Sequence, residues 1–399
     1  MNARLFFALT KPYVLRPLFR FLRRFNPIWP VGNYLVVSRY LDLVEVMSRD
    51  VEFTISQVNG PKLNAIDGPF LLGLDRGPQY DLEAAMVHNA LPCSDLPRIA
   101  QIVTEEATRQ IQAAWPARRI DLVNGYARVV TVRLIARHFG VPVDDEQTMA
   151  GWLRDIFWAV FLDPANDPAI MQQAVRSDAE LRVYLEKAIA DHRAAPVDPP
   201  ADVVGKMVAF QAANRGLDQG AIRRNLGGMI VGMVDNTTTF LTYALSELLR
   251  NPRQFARARE AALAGDRDTV RRYIYEAGRF YPVATLLSRH ANVDTIIAKG
   301  TRRQRLVAAG TTVVLGNISA MFDADGFDEP ETFDIDHDSE RLHFGFGLHR
   351  CSGYQINSVQ IPELAAGLLR LSNLRLAPGR DGKMQFQGPF PNRLLLDFD

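Results

Sequence analysis

Apolar residues change their spacing along this 399-residue chain, and those changes divide it into regions. A short apolar run predicts a strand over 34–37, and helical spacing follows over 40–47. From about 81 to 279 apolar residues recur every three or four positions, so helix dominates. The pair Asn251-Pro252 ends a long helix over 225–250 and starts the next. A residue before proline leaves the helical region, while proline itself suits a first helical position. Prolines between 196 and 200 mark a loop. From 286 to 315 the pattern turns to short strands, with Gly300 and Gly310 as turn residues. Helix returns over 351–371, and 392–398 predicts a closing strand. No repeat, low-complexity tract or linker interrupts the pattern. The expected fold class is mainly α with small β sheets, in one domain over 1–399.

Hydrophobic residues make up 47% of the chain, enough for a large core. A formal net charge of +1 provides no global field for nucleic acid. Two cysteines, Cys93 and Cys351, exclude a disulfide framework, and no secretory signal is evident. A reducing cytoplasm and a monomer are expected. Residues 3–24 are apolar and basic. Lys11, Arg16 and Arg20 make them too charged to span a bilayer, and Pro12 and Pro17 are expected to break any long helix. The segment is expected to pack on the body of the protein; the other reading is peripheral contact with a membrane surface.

The strongest chemical signal is the segment from Phe344 to Gly353, FGFGLHRCSG. Three glycines frame one cysteine just before a predicted helix. Glycine permits positive φ and close backbone approach to a flat cofactor. N–H groups at a helix start stabilise a thiolate. A lone buried cysteine is more often an inert hydrophobe, and His349-x-Cys351 alone could suggest zinc, although no second ligand pair lies nearby. Cys93 has no such frame and reads as structural.

The segment resembles the haem loop of the cytochromes P450, F-G-x-G-x-H-x-C-x-G, at every fixed position. The resemblance implies the cytochrome P450 fold and one b-type haem, iron protoporphyrin IX, with Cys351 as the iron ligand. Phe344, Gly345 and Gly353 belong to the same cofactor loop. It also makes Glu276 and Arg279, an E-x-x-R pair whose spacing puts both on one helical face, a buried brace for the segment before the loop. His337 stands where that family carries a third, arginine partner. Arg289 and His349 match propionate-binding positions, where charge-assisted hydrogen bonds suit them. Tyr80 is expected to add a hydroxyl to a propionate.

On the long helix, Gly232, Asp235, Asn236 and Thr237 match the stretch that handles oxygen in similar proteins. There a glycine loosens the helix, and an acid and an alcohol supply protons. Here Asp235 takes the acid position, but an amide, Asn236, takes the alcohol position. Thr237 lies about 100° further round the helix. An amide is a poor proton relay. The helix after Asp75 also lacks the basic residues expected for docking an electron donor.

Two enzymatic readings follow. One is a monooxygenase that takes electrons from a ferredoxin-type partner and inserts oxygen into an apolar small molecule or lipid. The other is a reductant-independent fatty-acid hydroperoxide isomerase or peroxygenase, in which the amide orients the peroxide. Weaker similarity to the P450 halves of fungal fatty-acid dioxygenase fusions favours the second. A haem-binding sensor is the remaining alternative, and no sensor partner domain is visible. Met229, Met233, Val283 and Leu286 are expected to line an apolar substrate pocket, with Phe157 and Phe161 as its cap.

Overall fold

The computed structural model describes residues 12–337 and 340–399. Helix α1 (Pro12–Phe25) leads into a hairpin of β1 (Ile28–Val31) and β2 (Tyr34–Val37). Helix α2 (Tyr40–Ser48), strand β3 (Phe53–Thr54) and helix α3 (Ser56–Asn64) follow. Then come α4 (Pro78–Ala90), α5 (Leu96–Ala114), strand β4 (Arg119–Asp121), α6 (Arg128–Leu134), α7 (Glu146–Phe157), α8 (Pro168–Ala194) and α9 (Val203–Ala213). Helices α10 (Ala221–Arg250), α11 (Pro252–Ala264) and α12 (Arg267–Phe280) lead to strands β5 (Leu287–Ala291), β6 (Thr295–Ile297), β7 (Arg305–Val307) and β8 (Thr312–Leu315). The short helix α13 (Asn317–Ala320), helix α14 (Tyr354–Leu369) and strands β9 (Arg375–Leu376), β10 (Gln385–Gln387), β11 (Phe390–Arg393) and β12 (Leu395–Asp397) complete the order.

The main sheet has the order β1-β2-β8-β5-β3, and only the β2–β8 pairing is parallel. The predicted strand over 34–37 and the turn glycines Gly300 and Gly310, both at positive φ, occupy their expected places. The Asn251-Pro252 junction works as read. The Asn251 side chain caps α11 by accepting from Gln254 N at 3.4 Å, and Pro252 takes its first position.

Three expectations need correction. Pro17 does not break α1. Leu15, Phe19 and Leu22 recur at i, i+4 and i+7 and bury against Ile318, which offsets the lost backbone hydrogen bond. Second, 392–398 is not one strand. The chain changes partners at Leu394, whose N–H turns to Asp121, so β11 pairs with β10 while β12 lies between β4 and β9. Third, Cys93 is exposed, with Gln355 Oε1 3.3 Å from its sulfur, rather than packed in a core.

His138, just after α6, is fully buried, and neither ring nitrogen has a hydrogen bond. Burial pushes its pKa down to about 4, against the partial support of Asp95 and with Arg98 and Lys206 adding repulsion. Between its ordinary value of 6.5 and about 4, the unfolded chain binds a proton that the folded chain refuses. Stability present above pH 6.5 is therefore lost as pH falls through this window, by at most about 1.4 kcal/mol per pH unit for this group. Thermal melts between neutral and mildly acidic pH should show this slope, and His138→Leu should reduce it. An unchanged slope in the variant would remove His138 as its source.

Candidate active site

The loop before α14 is built by two left-handed glycines. Gly345 has φ +69° and Gly347 φ +72°. A Cβ on Gly347 would also stand 2.2 Å from the Met47 carbonyl oxygen at the end of α2, so both conformation and space demand glycine there. The turn closes where Cys351 N donates to Phe344 O at 2.9 Å. The Cys351 thiol is deeply surrounded by protein, while the residue as a whole keeps intermediate solvent accessibility. Burial pushes its thiol pKa up, while the Gly353 and Tyr354 N–H groups and the Arg350 charge pull it down. Donors to sulfur are thus in place at the start of α14, and a bound cation would release the proton.

Arg289 lies on β5, opposite Val313 of β8. It is 5% exposed; its Nη1 donates only to the adjacent Ser288 carbonyl, and among the described residues it has no carboxylate partner. Burial lowers its pKa to about 10. His349 is buried too, and neither ring nitrogen meets a partner in good hydrogen-bond geometry, although the Leu71 backbone lies close enough to act weakly. Burial first, and the Arg289 charge second, push its pKa down to about 4. The nearby carboxylates are engaged elsewhere: Asp50 with Arg76, and Asp75 with the Ile55 and Ser56 N–H groups. Two buried donors that repel one another lack an anion between them.

Tyr80 needs correction as a propionate donor. Its hydroxyl proton already goes to Leu348 O at 2.8 Å, and its ring packs edge-on to His349 with centroids 5.6 Å apart. It braces the loop and aims the imidazole.

On α10, a Cβ built on Gly232 would meet nothing within 4 Å, so the helix borders open space there. One turn on, Asn236 Nδ2 donates to Gly232 O at 2.7 Å, bringing the amide to the same opening. Asp235 and Thr237 do not join it. Both Asp235 oxygens are taken, by Arg128 Nη2 at 2.6 Å and Arg154 Nε at 3.2 Å. Thr237 Oγ1 donates to Asn357 Oδ1 at 3.0 Å, tying α10 to α14 and turning away from the opening. The helical rotation between successive residues separates the three roles. Arg128, Arg154 and Phe70 were not foreseen. The Phe70 ring lies against Gly228, where a Cβ would come within 2.5 Å of it, one turn before Gly232.

The Glu276–Arg279 pair is completely buried, with Nη2–Oε1 at 2.8 Å. Arg279 also donates to Met321 O, Pro330 O and Thr332 O at 2.6, 2.7 and 2.9 Å. The third partner is Arg341, whose Nε reaches Glu276 Oε2 at 2.9 Å, rather than His337. His337 Nε2 stays 3.7 Å from Oε1 with no hydrogen bond, and its ring meets Phe327 edge-on. Of the expected pocket residues, Met233 is buried in the main core, and Met229 and Val283 pack half-buried against it. Phe157 and Phe161 pair at 5.0 Å. Leu286 instead packs toward α1.

The family model described as Cytochrome P450 matches residues 143–396, well over half of the chain. The chain belongs to the cytochrome P450 family. Its cofactor is haem, and it is an oxidoreductase of the monooxygenase kind. This P450 is 27% identical over 383 residues to a Xylella fastidiosa (strain 9a5c) protein named for cytochrome P450 133B2, covering 92% of this chain and 91% of the relative. It is 24% identical to the steroid C26-monooxygenase of Mycolicibacterium smegmatis, over 91% of this chain and 86% of that one. Among solved structures, the crystal structure of CalO2 superposes with a TM-score of 0.85, covering 98% of both chains at 23% identity, a likeness of fold. Among the described residues of this P450, no helix is long and apolar enough to cross a membrane.

Proposed function

We propose that Cys351 ligates the haem iron, that Arg289 and His349 hold the propionates, and that the enzyme inserts oxygen into an apolar small molecule or lipid. The observation that carries this reading is the pair of buried donors, Arg289 and His349, left without a carboxylate partner, with His349 two residues before the Cys351 thiol in the same loop. Two propionates supply the missing negative charge, and Phe344, Gly345 and Gly353 shape the loop that receives the ring. When bound, a thiolate-ligated haem favours O–O bond cleavage.

The chain's own groups orient and shield. Asn236, fixed by its bond to Gly232, keeps Oδ1 and a second N–H available to a polar atom in the opening. Asp235, clamped between two guanidiniums, holds α10 against α6 and α7. The half-buried Met229 and Val283 give an apolar lining, and Phe70 packs against Gly228 on the same helix. A ferredoxin-type electron donor, a monomeric state and a reducing cytoplasm complete the proposal; the exposed free thiol of Cys93 supports the last.

A second reading, the reductant-independent use of a fatty-acid hydroperoxide, is favoured by the same helix. Neither an amide nor a doubly paired carboxylate is a ready proton relay, and α4 carries no Lys or Arg for a donor protein. Product analysis separates the two. One reaction holds enzyme and an unsaturated fatty-acid hydroperoxide without reductant; the other holds the parent acid, reductant and a ferredoxin system. Hydroxylation only in the second supports the monooxygenase, while diols or epoxy alcohols only in the first support the alternative. In the latter case Asn236→Ala should cut turnover about ten- to a thousandfold, and unchanged turnover would remove the amide from the chemistry.

A further inference from the structure

Asn357, six residues after Cys351 on α14, gathers contacts from three helices. Thr237 Oγ1 of α10 donates to its Oδ1 at 3.0 Å, and both residues are buried. The Tyr275 hydroxyl of α12 donates to its carbonyl at 3.2 Å, and its own N–H donates to Gly353 O at 2.9 Å. Its amide nitrogen stands 3.6 Å, and the Cys351 sulfur 3.7 Å, from the point where a Cβ on Gly353 would lie. Asn357 therefore abuts the residue whose N–H acts on that sulfur. The Tyr275 ring also lies 5.7 Å from that of Phe344, whose carbonyl accepts from Cys351 N.

At the other end of the bond, Thr237 is the neighbour of Asn236. Successive side chains of a helix point about 100° apart, so fixing one of them fixes where the next one points. Arg128 and Arg154 hold Asp235 toward α6 and α7, and Asn357 holds Thr237 toward α14. Asn236, between two pinned neighbours, is left toward the open space beside Gly232. A threonine hydroxyl in mid-helix commonly bonds back to its own helix, as Thr242 does to Thr238 O at 2.6 Å; Thr237 reaches another helix instead.

We propose that the Thr237–Asn357 hydrogen bond is a strut that sets Asn236 in register with the Cys351 sulfur, and that Thr237 and Asn357 are positioning residues for both. The proposal rests on the reading of Cys351 as the iron ligand.

The test uses the haem-loaded full chain and two readouts other than turnover. The ferrous-to-ferric ratio at a fixed reducing poise reports on the sulfur. The affinity of the ferric protein for cyanide reports on the side that Asn236 faces. Thr237→Val and Asn357→Leu should each change both readouts about tenfold, as when a group supporting a metal ligand is lost. Thr237→Ser, which keeps the hydroxyl, should return both toward the wild-type values. Thr237→Val combined with Asn357→Leu leaves neither partner unpaired, so it should regain thermal stability yet keep both shifts. Thr242→Val removes a hydroxyl buried in the same helix and should move neither readout. Should a single variant fail to take up haem, Asn357→Gln, which keeps the amide but displaces it by one methylene, carries the same expectation. Readouts that stay at wild-type values, move on one side only, revert in the double variant or move as far in Thr242→Val overturn the strut. The spectrum of Cys351→Ala tests the underlying reading separately: a surviving thiolate signal there overturns the ligand assignment, whatever the strut variants do.

Discussion

Cys351→Ala is expected to abolish the thiolate-type spectrum of the reduced carbonyl complex and to lower turnover by about a thousandfold or more. Such a loss corresponds to roughly 4 kcal/mol of transition-state stabilisation. The reason is local. The Gly353 and Tyr354 N–H groups and the Arg350 charge are arranged around one sulfur. Cys93, the only other thiol, is exposed beside Gln355, so Cys93→Ser should leave both spectrum and turnover intact. A thiolate spectrum that survives Cys351→Ala would sink the ligand assignment.

Arg279→Ala is expected to lower the unfolding free energy by about 3–5 kcal/mol, as when one partner of a buried ion pair is removed. Glu276 would keep Arg341 but lose its fork, and three loop carbonyls would lose their donor. Urea midpoints of the haem-loaded protein measure the loss. Arg279→Lys should recover less than half, because an ammonium cannot match a planar fork. In the same assay Arg341→Ala should cost more than His337→Ala, since only Arg341 hydrogen-bonds to Glu276. Equal costs would restore His337 to the brace.

Features encoded within a few neighbouring residues were legible in the sequence. The Cys351 loop is contiguous, the Glu276–Arg279 pair spans one turn, and Asn236 is found by counting back from Pro252 along an uninterrupted helix. Partners brought together from afar were not. Arg128 and Arg154 lie 107 and 81 residues from the carboxylate they clamp, on helices whose periodicity reports a buried face but not its neighbour. Strand β4 has three residues, too few to show an alternation amid helices. Sequence shows the local cost of Pro17 but not the contacts of Leu15, Phe19 and Leu22 that outweigh it. Tyr80 stands at the right place, but no sequence pattern tells which acceptor a hydroxyl chooses.

The Arg279 knot also divides the freedom to vary unequally. Met321, Pro330 and Thr332 contribute only their carbonyls, a group that every amino acid carries. Their side chains can drift across homologues without loosening a single one of these bonds, whereas Glu276 and Arg279 have no substitute. The instructions for shaping this irregular stretch are therefore written on α12, more than 40 residues upstream of the first carbonyl they hold.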